Sequence, residues 1–237
     1  MRAAAVVAEM TLRELGRRRA VVVLLVVLPL AFYLARRDLP GQSVRLLTMG
    51  LGWAVATLAL FSTVAARDLD RRLRASGARV RDLVGGRVAA VLVVGGVLAG
   101  LFALLVAVDQ DVVRPGGVVL GLLAVVAVGA PLGTALGAVL PRELEGSLAL
   151  LVVLATQLLS DPAGGLASAL PFWVVGQVGA WSVDGAPDAV LVDGLSHAAA
   201  AVGVLALAGG VAAAVRLRVV RLDEPGAETL VPGMPEE

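Results

Sequence analysis

The stretch RDLDRRLRASGARVRDLVGGR, residues 67–87, lies between two long apolar runs and carries seven arginines: Arg67, Arg71, Arg72, Arg74, Arg79, Arg81 and Arg87. Such a segment cannot lie in hydrocarbon, where a guanidinium at the bilayer centre costs about 2.5 kcal/mol or more. It is therefore a connection outside the membrane, and its basic charge places it on the cytoplasmic side. Its interior is compatible with helix, so it is a candidate docking element as well as a link.

The rest of the chain supports a membrane setting. Hydrophobic residues make up 59% of it and charged residues 16%, with a mean hydropathy of +0.91, well beyond an ordinary soluble domain. The formal net charge of +1 conceals strong segregation of charge along the sequence. With no cysteine, disulfides, thiolate metal sites and a cysteine nucleophile are excluded.

Outward from the basic stretch, the apolar runs predict six spans: residues 20–35, 46–66, 88–108, 118–140, 147–160 and 195–215. Before them, residues 1–19 place Val6, Val7, Met10 and Leu15 among Arg2, Glu9, Arg13, Glu14 and Arg17, the spacing of an amphipathic interfacial helix. A plain basic N-terminus that sets orientation is the other reading. A polar helix ahead of the apolar run, with no small-residue cleavage site after it, favours a retained first span over a signal peptide. In the fourth run, Gly129, Gly133 and Gly137 recur every four residues and form small-residue faces for close helix contact. The fifth run breaks at residues 161–165 and resumes over 166–183, with Trp173 and Trp181 suited to an interfacial belt. That pattern fits re-entrant or outward-lying short helices, or a full crossing at one of the two halves. Residues 222–237 read as a disordered acidic tail.

Six crossings with the N-terminus inside put sixteen of the twenty arginines on the inner side and four on the outer, as the positive-inside rule requires. Five crossings would place the arginine-rich C-terminal end outside. The expectation is an all-α membrane protein, one transmembrane domain over residues 1–221, in a bacterial plasma membrane with both termini cytoplasmic.

The spans hold almost no chemistry. Their polar residues include Thr57, Ser62, Thr63, Thr134, Gln157 and the lone His197, with no acidic pair and no basic residue at a span centre. A zinc-protease motif needs two histidines, and neither G-x-S-x-G nor a G-x-x-x-x-G-K-[ST] loop occurs; the chain has no lysine at all. Gln157 suits interhelical hydrogen bonding or a pathway lining, and His197 a solvated or hydrogen-bonded imidazole near the outer end of the last span. An apolar bundle of this kind can form a greasy pathway without being an enzyme or binding a cofactor itself. Energy for transport has to come from a partner, and the basic loop is the best contact.

Residues 70–87, DRRLRASGARVRDLVGGR, resemble the D-x-L-R-S-x-P-x-x-R-x-x-V-x-G-R pattern of multidrug and daunorubicin-type permeases, the membrane subunits of six-span, type 2 ABC exporters. The layout is similar too: an interfacial helix before span 1, a cytoplasmic loop between spans 2 and 3, and short outer helices between spans 5 and 6. Gly77 stands where the family often has proline, and the outer loop holds only partial echoes of the family's L-S-G-x-x-x-P run. Haem-exporter B-type permeases share the layout. The resemblance implies a coupling helix over roughly residues 70–84, with Leu73, Arg74, Ser76, Arg79 and Leu83 docking on a separate ATPase subunit that carries ATP and Mg. It further implies a second permease copy, a homodimer rather than a heterodimer. A hydrophobic or amphiphilic substrate would pass spans 1, 2 and 5, with Thr57, Gln157 and Ser160 as pathway candidates. No nucleic acid is implied. A different class of function, a non-transporting membrane scaffold or assembly factor holding a soluble partner through the basic loop, fits the same charge pattern.

Overall fold

The structure is a computed structural model that describes residues 2–161 and 164–218. Pro162, Ala163 and the tail expected at 222–237 lie outside the described residues. Within them all regular structure is helical: α1 (Arg2–Arg17), α2 (Arg19–Leu34), α3 (Pro40–Ala65), α4 (Arg67–Ala75), α5 (Val80–Asp109), α6 (Pro115–Val139), α7 (Glu143–Leu159), α8 (Gly165–Ala169), α9 (Val174–Val183) and α10 (Asp188–Arg216). Four of these, α3, α5, α6 and α10, are long and apolar enough to cross a membrane. The described residues thus form an all-α structure with four candidate membrane spans, consistent with the expected membrane protein. The 16 residues of α2 reach about 24 Å, and the 17 of α7 open on Glu143 and Glu145.

Several helices begin before the apolar runs that predict them. Pro40 and Pro115 start α3 and α6 at the first helical position, where the fixed φ of proline favours the helix and its missing N–H costs nothing. In α10, Asp188 occupies the first turn and complements the helix dipole. The polar ends of these helices thus extend beyond the segment that hydropathy marks.

At the centre lie α3 and α6: 72% of the most apolar window of each is buried, against 33% for α5 and 17% for α10. Glycine spacing on α6 makes that pairing possible. A Cβ placed on Gly129 would stand 2.6 Å from the carbonyl oxygen of Gly52, one on Gly133 would collide with the carbonyl of Ala56, and one on Gly137 would lie 2.9 Å from Thr63 Cβ. The four-residue repeat is therefore the seam on which the two backbones meet. Buried Val55, Leu122, Val125 and Phe102 fill the space around it.

Helix α1 packs along the start of α5. Any side chain at Gly86 would strike the Ala4 carbonyl and Val7. Val7 and Leu15 are half-buried as the periodicity predicts, together with Ala4, Ala8, Thr11 and Leu12, whereas Val6 and Met10 are each 53% exposed. The packed stripe thus mixes small residues with Val7, Leu12 and Leu15 and leaves Val6 and Met10 outside it.

The end of the bundle that holds the α2–α3 and α5–α6 connections consumes most of its charge internally. The Tyr33 hydroxyl and the Arg37 guanidinium both donate to Asp109, and Gln110 Nε2 donates to Asp109 at 3.2 Å. The hydrogen bond to Asp109 holds the Arg37 pKa above its ordinary value. Arg45 pairs with Asp184 at 2.5 Å. Arg114 donates to the Trp181 and Ala186 carbonyls and stacks 4.7 Å from the Trp181 ring.

Candidate functional site

The opposite end carries the basic stretch, folded as a helix, a tight turn and the start of a second helix. Its first half is α4, with Asp68 and Asp70 in the first turn and Arg72 and Arg74 in the last, the charge order that suits the helix dipole. The helix then stops at a Schellman turn: the Gly77 N–H donates to the Arg74 carbonyl at 3.1 Å and the Ala78 N–H to that of Leu73 at 3.0 Å. Gly77 takes φ +96°, a left-handed conformation in which a proline cannot sit and which side chains resist. Arg79 is extended, and α5 starts at Val80.

This corrects the single coupling helix expected over residues 70–84. The left-handed glycine splits it in two, and the third span is continuous with the loop's second half as one 30-residue helix.

Two contacts brace α4 to the bundle. Arg87 of α5 donates from Nη2 to Asp70 Oδ1 at 2.8 Å and from Nη1 to Oδ2 at 3.2 Å, with the two side chains only 5% and 2% exposed. Arg67 turns the other way and donates to the carbonyls of Gly137, Leu140 and Pro141, where α6 leaves its last acceptors unsatisfied. Arg216 of α10 reaches the same Gly137 carbonyl at 3.2 Å. Arg67→Ala is expected to cost about 1–2 kcal/mol in chemical unfolding, and Arg67→Lys to restore little of it, because an ammonium cannot span acceptors set for a planar fork.

The structure divides the residues predicted to dock. Leu73, Arg74 and Ser76 sit on α4 and its C-cap, and Arg79 follows the turn. Of these only Ser76 and Arg79 are fully exposed, and the Ser76 hydroxyl donates back to the Leu73 carbonyl at 2.8 Å. Arg74 folds inward to donate to the Ala78 carbonyl at 2.8 Å, so it holds the turn together. Leu83 is 1% exposed, packed inside α5's contact with the bundle, and offers nothing to a partner. The exposed arginines here whose guanidinium groups have no hydrogen bond or ion pair among the described residues are Arg72, Arg79 and Arg81. Spacing along a helix could have singled out Arg72, but not the inward turn of Arg74, which depends on where the chain reverses.

The pathway candidates are also separated. Thr57 faces a groove of about 350 Å³ between α1, α2 and α3, whose walls include Leu25, Trp53, Leu58 and Phe61. Glu14, Arg18 and Glu143 stand along it as well, and Glu14 and Arg18 pair at 2.6 Å. Gln157 on α7 and Ser160 at its C-cap do not line it. The Ser160 hydroxyl donates to the Thr156 carbonyl of the helix it caps, while Gln157 Oε1 is buried without a partner among the described residues. His197 meets the edge of Trp173, ring centres 5.3 Å apart, and its Nδ1 is buried with no hydrogen-bond partner among the described residues. Among the described residues no group of three or more His, Cys, Asp or Glu side chains could hold a metal ion.

No family model matches the chain, and no curated protein matches it.

Proposed function

We propose that this chain is the membrane-spanning subunit of an ATP-driven exporter of the type 2 ABC kind. In this reading it works as a homodimer with two copies of a separate ATPase subunit that binds ATP and Mg. The observation that carries the reading is α4 and the turn after it: a short basic helix with Arg72 toward solvent, Arg79 and Arg81 exposed beyond the turn, and a buried, two-pronged ion pair tying α4 to α5. A push on such an element passes directly into a helix long enough to cross the membrane. A flexible loop would dissipate it.

Six crossings would use α2 and α7 as the short first and fifth spans beside the four long helices, with α8 and α9 lying at the outer end. The positive-inside rule then puts both termini and α4 in the cytoplasm. The largely apolar groove between α1, α2 and α3 suits a hydrophobic or amphiphilic cargo, with Thr11, Thr57 and Ser62 as weakly polar wall residues and Glu14, Arg18 and Glu143 along it.

The test is co-purification from the native membrane. Arg72→Glu with Arg79→Glu is expected to strip a stoichiometric nucleotide-binding subunit and abolish ATP-dependent export, while the thermal stability of the solubilised chain stays put. Arg36→Glu, exposed at the opposite end, should change neither. Retention of both partner and export by the doubly reversed protein overturns the coupling role, and a soluble partner without ATPase activity favours a scaffold.

A further inference from the structure

On the face formed by α5, α6 and α10 a second groove, of about 500 Å³, opens sideways. Val84, Val88 and Leu205 form its walls, and Pro131 and Thr134 are buried in its floor. The Thr134 hydroxyl is already donated to the Ala130 carbonyl at 2.8 Å, so the floor has no free polar group. At Gly85 and Gly210 an added Cβ would meet nothing, which keeps the groove open. Arg81 stands at one end, exposed, with no hydrogen bond or ion pair among the described residues.

The geometry points to a binding site for one anionic phospholipid, its phosphate on Arg81 and an acyl chain in the groove. Three features select this occupant. Along α10 the lining runs from Leu205 to Ala214, about 14 Å at helical rise, which matches the roughly 15 Å depth of one leaflet's hydrocarbon. Along α5 the wall passes from Arg81 to Val88, from the charged stretch into the apolar run, as a lipid passes from headgroup to tail. The cation stands at the headgroup end alone, since the remaining lining residues carry no charge. A second copy's helix would fill the apolar part but would leave Arg81 without a counter-charge. The site requires only that the chain is embedded in a membrane, so it stands or falls separately from the exporter reading.

Native mass spectrometry of the full-length, detergent-solubilised protein tests it, with phosphatidylglycerol and phosphatidylcholine of identical acyl chains as probes. The parent protein is expected to prefer phosphatidylglycerol about fivefold, the increment of one arginine at an anionic surface. Arg81→Gln should bring the two lipids to parity without weakening phosphatidylcholine. Arg36→Gln, at the opposite end, should leave the preference intact. Gly210→Trp, which fills the groove, should weaken both lipids alike. Equal binding of the two lipids by the parent, or a preference that survives Arg81→Gln, overturns the site. So does a dimer that Gly210→Trp dissociates while lipid binding is unchanged, because the groove would then belong to a second copy. If Gly210→Trp does not fold, the exposed Arg81→Gln substitution decides alone.

Discussion

Gly133→Leu is expected to cost at least about 3 kcal/mol, the upper end of what overpacked cores lose or beyond it. The obstacle at this position is the backbone carbonyl of Ala56 on α3, which cannot rotate away as a side chain could. Relief would need α3 and α6 to separate along the seam that also carries Gly129 against Gly52 and Gly137 against Leu60 and Thr63. Separation would open voids beside Val55, Leu122 and Val125, all essentially inaccessible to solvent, and each lost contact adds to the cost. With a net stability of about 5–15 kcal/mol typical of folded domains, a large fraction of the protein would unfold or misassemble. The control is Gly100→Leu. Gly100 also sits within a long apolar helix, but an added Cβ there meets nothing. Denaturant unfolding in detergent micelles should separate the two variants clearly. Equal midpoints for both would show that α3 and α6 are not packed on this face.

The second large effect is at the pair that ties α4 to α5. Asp70→Leu is expected to destabilise by about 3–5 kcal/mol, because it strands the Arg87 guanidinium in a site only 5% exposed. Arg87→Met should cost a similar amount by stranding Asp70. Removing both charges at once, as Asp70→Leu with Arg87→Met, should return stability close to the parent, since a buried ion pair gains little over an apolar pair of similar volume. The double-mutant cycle thus carries a large coupling energy, and near-additive losses would sink the assignment. Asp68 and Arg71 provide the contrast. They pair at 2.7 Å on the outer face of the same helix, but their side chains are 83% and 69% exposed. Asp68→Ala should therefore change stability by less than about 1 kcal/mol.

The two pairs also mark what could be read from the residue order. Both lie within the stretch at residues 67–87, and both have the opposite charges that a helix or a fold could bring together. Residue spacing identifies Asp68–Arg71, three apart on one helix. It cannot identify Asp70–Arg87, seventeen positions apart, because the residues between them include a chain reversal at Gly77. That reversal was visible only as a departure from a proline-bearing pattern, and its consequence is geometric. It turns Arg74 inward and makes Leu83 a core residue. It leaves Arg72, Arg79 and Arg81 as the free cations.

A membrane setting, helical class and charge asymmetry are legible in the sequence because each rests on terms summed along the chain. Transfer of an apolar run into hydrocarbon, or exclusion of an arginine cluster from it, depends on composition over about 20 residues and not on any partner. Even the glycine repeat on α6 was visible as a face, since its period is that of the helix. Which helix meets that face, how deeply each arginine is buried and which carbonyl each one reaches are settled only by tertiary structure. Those outcomes depend on contacts between segments far apart in the chain, and close packing allows one arrangement of them and excludes its neighbours within fractions of an ångström.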